Sequence, residues 1–196
     1  MSAGKKSDHW ISPEEYLEGE KLASVRHEYL GGVVHAMVGA SVVHNELAQN
    51  IAGWLRAALR GKPCRSFMEG VKVRLPGLET VFYYPDVFVA CDPRDTDEYY
   101  RDYPAVIFEV LSADTRRFDR LEKRWAYQSI ETLQTYVLVD QHKIEVSVWQ
   151  RGAEKEPPTV LTTLEESVVL PGLGLSLPLA EIYADIVLTP EKSRVL

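Results

Sequence analysis

The stretch that decides the fold reads PAVIFEVLSADTRRFDRLEKRWAY and covers residues 104–127. Its apolar run AVIFEVL, bounded by Pro104 and by the polar SADT, is typical of a buried β-strand. Glu109 lies in the middle of that run, between Phe108 and Val110. A carboxylate in a core strand costs roughly several kcal/mol unless it is paired, protonated or bound to a metal. The stretch therefore predicts a functional site as well as a core strand.

A second carboxylate has the same kind of surroundings. Asp86 follows Pro85 within VFYYPDVFVAC, residues 81–91, which is apolar along nearly its whole length. Mg²⁺ prefers a few carboxylate oxygens, backbone carbonyls and retained water as ligands. Two acids on adjacent strands, with a carbonyl next to Glu109, therefore predict a magnesium site. The alternatives are a turn cap at Asp86 and, for Glu109, a buried ion pair with an arginine.

The segment after the strand predicts a basic helix from about Thr115 to Ile130. At helical spacing its side chains form two stripes about 100° apart round the helix axis. The first stripe contains Arg116, Arg120 and Arg124, and the second contains Asp119, Lys123 and Tyr127. We expect the arginines to hold backbone phosphates, and Lys123 and Tyr127 to point over the carboxylates. The alternatives are a solvated basic face and an ion pair between Asp119 and Lys123.

The remaining segments predict the rest of the architecture. In chain order they are a helix from Ser12 to about Gly19, a hairpin around Gly31-Gly32, an amphipathic helix over 42–60 capped by Ser41, strands over 69–75 and 81–91, a surface loop over 92–103, a hairpin of 135–140 with 144–150, short strands near 159–162 and 167–170, and a short helix over 179–183. Strand 105–111, the basic helix and strand 135–140 form a β-α-β unit, whose crossover should be right-handed.

Together these elements predict an α/β (α+β) fold with a mixed sheet flanked by helices, an N-terminal helix and hairpin, and a β-rich C-terminal tail. We expect one domain over 12–185, between tails 1–11 and 186–196. A length of 196 residues and a hydrophobic share of 45% are sufficient for one sizeable core.

Composition also limits the classes of function. No apolar run approaches the ~18 residues of a membrane helix, and we expect no signal peptide at the N-terminus. Cys64 and Cys91 lack Cys-x-x-Cys spacing, so we expect free thiols in a reducing compartment, which favours the cytoplasm. The net charge of −7 argues against a nucleic-acid binder, although it leaves room for a local basic surface.

Other motifs are weak or missing. His44 and Glu46 open the long helix, where backbone N–H groups and the helix dipole favour an anion, and plain capping is the alternative. The histidines show no His-x-x-x-His spacing, which excludes a zinc site of that type. The sequence has no glycine-rich phosphate loop and no Gly-x-Ser-x-Gly elbow.

Several blocks of the chain resemble the Uma-type restriction-endonuclease-like family of bacteria. In order they are SPEEYLEGE, RHEYLGGVVHAM, SVVHNELAQNIAGWLRAALRG, YYPDVFVACD, the block 104–141 and IEVSVWQR, which together run from about Ser12 to Tyr183. That family is placed in the PD-(D/E)XK nuclease superfamily. The resemblance therefore implies a mixed four-stranded sheet flanked by helices.

The resemblance also implies roles for single residues. Asp86 matches the motif aspartate, and Glu109 matches the second acid. The superfamily lysine usually lies two residues after that acid, where this chain has Leu111, and Lys123 is the matching position on the next helix. Tyr127 resembles a tyrosine that some superfamily members carry on that helix. The superfamily also has an acid early in the chain, and Glu28 or Glu46 could correspond to it.

Two hypotheses follow. In the first, the chain is a Mg²⁺-dependent DNA endonuclease, with Mn²⁺ as a substitute, that acts as a homodimer. The metal would be held by Asp86, Glu109 and the Val110 carbonyl, Lys123 would position the attacking water, and Glu28 or His44 would assist. In the second, the chain is a catalytically inactive module that keeps the nuclease fold to bind nucleic acid or protein.

Overall fold

The computed structural model describes residues 10–75, 77, 80–111, 123–153 and 156–188. Within these ranges the helices are α1 (Pro13–Leu22), α2 (Val42–Ala58), α3 (Arg124–Gln128) and α4 (Leu179–Ile182), with a 3₁₀ turn at Pro171–Leu173. The strands are β1 (His27–Leu30), β2 (Val33–Ala36), β3 (Arg65–Met68), β4 (Lys72–Leu75), β5 (Val81–Tyr83), β6 (Val87–Ala90), β7 (Tyr100–Arg101), β8 (Pro104–Leu111), β9 (Thr135–Asp140), β10 (Val146–Gln150), β11 (Thr159–Leu161), β12 (Ser167–Leu170) and β13 (Leu175–Pro178).

A six-stranded mixed sheet forms the centre of the fold, in the order β11-β10-β9-β8-β6-β3. Strands β8 and β9 are parallel, whereas the other neighbours in this sheet are antiparallel. Parallel neighbours need a crossover connection, so this pairing confirms the parallel strands predicted on either side of the basic segment. Of the helix predicted from about Thr115 to Ile130, α3 is the described part, and residues 112–122 lie outside the described residues. A smaller sheet has the order β2-β1-β5-β4-β7, and β12 pairs with β13 as a separate hairpin.

Strand β8 lies inside the central sheet, and all eight of its residues are buried. Its side chains alternate between two hydrophobic clusters, with Phe108 and Val110 in the cluster that contains α2, and Ile107 in the cluster that contains Tyr127. Because successive side chains of a strand point to opposite faces, Glu109 lies on the Tyr127 side. Burial on both faces explains why the strand is apolar at every position except Glu109.

The N-terminal helix and hairpin form where the sequence predicts them, although α1 continues to Leu22 instead of ending near Gly19. The Ser12 hydroxyl accepts a hydrogen bond from the Glu15 N–H, and the Glu15 carboxylate accepts one from the Ser12 N–H, which is a complete capping box. The hairpin of β1 and β2 turns at Gly31 and Gly32, whose φ angles of 53° and 101° favour glycine. The Ser41 hydroxyl caps α2 by accepting from the backbone N–H of residue 44.

The strand predicted over 81–91 is in fact two strands in two sheets. Strand β5 belongs to the smaller sheet and β6 to the central one, and Tyr84, Pro85 and Asp86 connect them. Proline has no N–H to donate to a ladder, so a central strand cannot continue through Pro85. This break places Asp86 at the open start of β6.

Other strands also differ from the prediction. The strand predicted over 69–75 begins at Lys72, because Gly70 and Val71 turn back to donate hydrogen bonds to the Met68 carbonyl. The preceding strand β3 was not predicted, and neither were β7, inside the expected surface loop, and β13. These strands are short, and β7 has only two residues, so alternation within them is too brief to detect.

The expectation of free thiols is wrong, because Cys64 and Cys91 form a disulfide. Strands β3 and β6 pair antiparallel with Arg65 opposite Ala90, so the next residues outward, the two cysteines, face each other. The bond therefore closes the end of a strand pair that the sequence did not reveal. Within the described residues, no helix has both the length and the apolar character needed to cross a membrane.

Reducing this disulfide is expected to lower the free energy of unfolding by roughly 3.5 kcal/mol, because loop closure removes entropy from the unfolded chain. The loop joins cysteines 27 residues apart. Urea unfolding with and without reductant measures the change. The double variant Cys64→Ala/Cys91→Ala should have the urea midpoint of the reduced protein, and reductant should not change it. Thiol titration should first show that reduction is complete. If the urea midpoint is then unchanged, the prediction is wrong.

A buried lysine opens strand β4. Lys72 is 6% exposed, and its ammonium donates a hydrogen bond to the Tyr84 hydroxyl at 3.2 Å. That hydroxyl in turn donates to the Glu20 carboxylate at 3.0 Å. Burial lowers the pKa of Lys72 below its usual 10.5, and the negative charge of Glu20 opposes this only in part.

The pH dependence of stability should therefore change when Lys72 is replaced by methionine. The pKa of Lys72 is lower in the folded chain than its value of 10.5 in the unfolded chain. At a pH between these two values, the unfolded chain holds the Lys72 proton more tightly. The free energy of unfolding therefore decreases as the pH falls through this range. We expect Lys72→Met to be most stabilising, relative to the wild type, near pH 7 and progressively less so towards pH 10. Urea midpoints across this range test it, with the exposed Lys62→Met as control. A difference between Lys72→Met and wild type that is the same at every pH would refute the assignment.

Candidate active site

The two predicted acids lie side by side on neighbouring strands. Val87 of β6 is paired with Phe108 of β8, so Asp86 and Glu109, one step further along each strand, are also opposite each other. The backbone N–H of Asp86 lies 3.4 Å from Oε2 of Glu109. Glu109 is 3% exposed and the Asp86 side chain 16% exposed. Neither carboxylate is turned out to open solvent.

The Asp86 carboxylate is held at both oxygens. Its Oδ2 accepts a hydrogen bond from the backbone N–H of Val110 at 2.6 Å, and its Oδ1 lies 2.9 Å from Nε2 of His44. The first contact comes from the next residue of β8 after Glu109, and the second from the first turn of α2. Two rigid elements therefore fix the orientation of this carboxylate, which is more than a turn cap requires.

The Glu109 carboxylate meets groups from the segment at residues 123–128. Its Oε1 accepts a hydrogen bond from the Tyr127 hydroxyl at 3.1 Å and lies 3.8 Å from the ammonium of Lys123. Burial raises the pKa of the Tyr127 phenol well above its usual range, and the negative charges of Glu109 and Glu28 raise it further. The phenol therefore stays protonated and donates its hydrogen to Glu109.

Lys123 connects two acids. Its ammonium lies 2.8 Å from Oε1 of Glu28, on β1, and 5.2 Å from the centre of the Tyr83 ring. The Lys123 side chain is 9% exposed and that of Glu28 13% exposed. The alternative prediction was an ion pair between Lys123 and Asp119, and Asp119 lies outside the described residues.

These side chains meet at one open cleft. Its volume of about 540 Å³ falls within the range of about 300–1,000 Å³ that is usual for ligand sites. The predicted residues that line it are Glu28, His44, Asp86, Glu109, Val110 and Lys123. Tyr127 is fully buried against Glu109. The structure thus brings together residues from β1, α2, the connection before β6, β8 and the segment before α3.

Other predicted residues lie elsewhere or outside the described part of the chain. Arg116 and Arg120 belong to residues 112–122, which the structure does not describe. The guanidinium of Arg124 lies about 5 Å from the rings of Trp125 and Trp149, so a phosphate contact for it stays a prediction. Of the two candidates for the early acid, Glu28 lines the cleft, whereas Glu46 is exposed on α2 and is not part of its lining.

The cleft also contains charged side chains that the sequence did not suggest, among them Arg26 and His35. His35 lies opposite Glu28 in the register of the β1–β2 hairpin. A two-residue turn at Gly31-Gly32 fixes that register, so counting outward from the turn would have found His35. Arg26 pairs with Glu69 at 2.9 Å, a contact between segments 43 residues apart that no local pattern signals.

The donor set fits a hard divalent cation. Asp86 and Glu109 offer carboxylate oxygens, and Val110 offers a carbonyl, which points to the same side of an extended strand as its N–H and therefore towards Asp86. Among the described residues, no three His, Cys, Asp or Glu side chains form a group that could hold a metal alone. Mg²⁺ keeps several waters and takes one or two carboxylates plus substrate oxygens, so the two carboxylates of Asp86 and Glu109 would be enough to hold it.

The chain is similar to known proteins over most of its length. Residues 13–180 match the Uma2 family, described as "Putative restriction endonuclease". Two uncharacterized proteins of Synechocystis sp., slr1290 and sll1609, are each 30% identical to the chain. The match with slr1290 covers 88% of this chain and 91% of that protein. The match with sll1609 covers 74% of this chain and 84% of that protein.

A solved structure shares the fold. It is the crystal structure of a "putative nuclease belonging to DUF820" from Anabaena variabilis, with a TM-score of 0.71 and 16% identity, and the match covers 90% of this chain and 99% of that one. At this identity the likeness concerns the architecture, a mixed α/β core flanked by helices. From the match over residues 13–180, the chain belongs to the Uma2 family.

Proposed function

We propose that this protein is a Mg²⁺-dependent endonuclease that hydrolyses phosphodiester bonds in DNA, with Mn²⁺ as a substitute ion. One observation carries the proposal. Asp86, directly before core strand β6, lies next to Glu109 of core strand β8, with Lys123 beside them at a cleft. The family description and the related nuclease fold support a nuclease in general terms. The metal and the DNA substrate are our inference from the site.

In this proposal Asp86, Glu109 and the Val110 carbonyl hold the ion. When bound, a divalent ion supplies charge neutralisation at the phosphodiester and favours deprotonation of a water. His44 and the Val110 N–H keep the Asp86 oxygens in place, and Tyr127 does the same for Glu109. Such preorganisation is effective because the groups need not reorient during the reaction.

Lys123 supplies the positive charge of the reacting centre. Its ammonium can donate three hydrogen bonds, and Glu28 and Glu109 both lie within 4 Å of it. We propose that the ammonium orients the attacking water and stabilises negative charge on the phosphate oxygens. Glu28 holds the ammonium in place, because it forms the shorter of the two contacts, 2.8 Å.

The substrate needs positive charge that an acidic protein carries only locally. We propose that Arg116, Arg120 and Arg124 contact the DNA backbone, and that two copies of the chain act together, because one such site cuts one strand. We also propose a cytoplasmic location, where a bacterial DNA substrate lies. The disulfide of Cys64 and Cys91 removes the free-thiol argument for that location, since structural disulfides are rare there.

Cleavage of supercoiled plasmid DNA tests the proposal. The wild type should nick or linearise the plasmid with Mg²⁺ or Mn²⁺, and chelation by EDTA should stop it. Asp86→Ala should be inactive. Asp92→Ala is the matched control, because the Asp92 side chain is similarly exposed, 18% against 16%, and pairs with Arg94 instead. Full cleavage by Asp86→Ala would show that the ion, if any, binds elsewhere.

The second candidate, an inactive module that binds nucleic acid or protein, is favoured by one observation. Leu111 occupies the position two residues after Glu109, where the resembled superfamily usually has its lysine. The proximity of Lys123 to Glu109 at 3.8 Å weighs against this candidate, because the required charge reaches the site from another element. A wild type that binds DNA but never cleaves it with either ion would favour the module.

A further inference from the structure

A buried amide links the two elements on either side of the proposed site. Gln141 follows β9 directly and is 5% exposed. Its Nε2 donates a hydrogen bond to the Leu111 carbonyl at 2.9 Å, and its Oε1 accepts one from the Ser41 hydroxyl at 2.5 Å. Leu111 ends β8 and Ser41 caps α2, so one side chain ties the helix start to the strand end.

These two bonds complete a closed ring of contacts around Asp86. The Ser41 hydroxyl accepts from the backbone N–H of His44 at 3.1 Å, and the His44 imidazole reaches Asp86 Oδ1 at 2.9 Å. The other oxygen of Asp86 accepts from the N–H of Val110 at 2.6 Å. Because Val110 is bonded to Leu111, the ring returns to Gln141.

The direction of each hydrogen bond in this ring follows from its members. The Leu111 carbonyl can only accept, so the amide nitrogen of Gln141 must face it and the amide oxygen must face Ser41. The Ser41 hydroxyl has one proton, which it donates to Gln141, and its lone pairs remain for the His44 N–H. A glutamate or a methionine at 141 cannot reproduce this pattern.

We infer that Gln141 is a positioning residue of the site. It holds the start of α2 against the end of β8, so that His44 and the Val110 N–H each contact a different carboxylate oxygen of Asp86. This inference rests on the proposed function. The hydrophobic contacts of Leu47, Ile51 and Leu55 fix the body of α2. The Ser41–Gln141 contact, by contrast, acts at the end of the helix that carries His44.

The test variant is Gln141→Met, which keeps the length of the side chain and removes both hydrogen bonds. We expect kcat for plasmid cleavage to fall about 10- to 100-fold with little change in KM, because small displacements of reacting groups cost rates of this order. In the metal-free protein, amide hydrogen exchange at Val110 should speed up at least about fivefold, since an acceptor that moves leaves its N–H open more often.

The chain provides a matched control in Gln150. Its Oε1 accepts from the Thr135 hydroxyl at 2.8 Å and its Nε2 donates to the Val169 carbonyl at 2.9 Å, the same pair of contacts at the opposite end of β9. Gln150→Met should leave kcat and Val110 exchange at wild-type values. A loss of general stability alone would affect the two variants alike.

Ser41 provides an independent route to the same answer. Ser41→Thr keeps a hydroxyl and should keep most of kcat, whereas Ser41→Ala should resemble Gln141→Met. The double variant Ser41→Ala/Gln141→Met should be no slower than the slower single variant, because both break one ring. If Gln141→Met does not fold, the Thr and Ala variants of Ser41 carry the test.

The outcomes are distinct. Slower kcat and faster Val110 exchange in Gln141→Met, with neither change in Gln150→Met, support the positioning role. Equal kcat and equal exchange in the two variants overturn it even while cleavage by the wild type upholds the proposed function. If the wild type does not cleave DNA, the proposed function fails, and with it the claim that Gln141 serves catalysis, whatever Val110 exchange shows.

Discussion

Replacing Glu109 by glutamine is expected to lower kcat for DNA cleavage about 1,000-fold. A bound ion stabilises transition-state charge by several kcal/mol, and each 1.4 kcal/mol corresponds to a factor of ten. Glutamine has nearly the shape of glutamate and can still accept from the Tyr127 hydroxyl, which is 3.1 Å from Oε1. It lacks the negative charge that a cation needs. The loss should therefore appear in activity with little change in fold.

Single-turnover cleavage at saturating DNA measures the effect on Glu109→Gln. Glu131→Gln is the control, because that side chain is 68% exposed and pairs with Arg94. Thermal unfolding of both variants should show whether the fold persists. If Glu109→Gln cleaves within threefold of the wild type while remaining folded, the carboxylate at 109 is not part of the reaction.

Lys123→Met should lower kcat at least about 100-fold, the order of effect of removing one preorganised charge-stabilising donor. It should also destabilise the protein by about 3 kcal/mol, because removing one member of a buried pair leaves the other charge uncompensated. The charges left behind are Glu28, at 2.8 Å from the lost ammonium, and Glu109, at 3.8 Å. Activity and stability therefore fall together in this single variant.

A second substitution separates the two effects. In Lys123→Met/Glu28→Gln the main unpaired charge is removed, so stability should return towards the wild type while kcat stays low. Lys143→Met, at a lysine side chain that is 58% exposed, is the control. Recovery of kcat together with stability in the double variant would mean that Lys123 has only a structural role.

The central strand and its acid could be predicted because both signals are local. An apolar run of strand length needs only a few residues to be recognised, and β8 was predicted over 105–111 and found over Pro104–Leu111. Glu109 stood out because an acid within such a run is costly to bury. The cap at Ser41 and the Gly31-Gly32 turn are local signals of the same kind, and the structure confirms both.

Features that depend on contacts between distant segments could not be predicted from pattern alone. The disulfide joins Cys64 to Cys91 through a strand pair of which one member, β3, is a short segment with a mixed pattern. The break at Pro85 was visible in the sequence, but an apolar stretch on both sides of it favoured one strand. The sheet to which each half belongs is decided by packing over the whole chain.

The site shows the same division. Strand pattern and helical spacing suggested Asp86, Glu109 and Lys123, the resemblance matched them to motif positions, and the structure places them at one cleft. The ring through Ser41 and Gln141 could not be predicted, because these two residues are 100 positions apart in the sequence. Positions that support a site from behind carry no motif of their own, and only the folded arrangement identifies them.

Titration of the metal-free protein with Mn²⁺ in a calorimeter tests the central claim most directly, since it needs neither a DNA substrate nor turnover. We predict uptake of the ion by the wild type, and loss of that uptake in both Asp86→Asn and Glu109→Gln, because each variant removes one of the two carboxylate charges. No uptake by the wild type, or uptake that both variants retain unchanged, would contradict the claim that these two acids form a metal site.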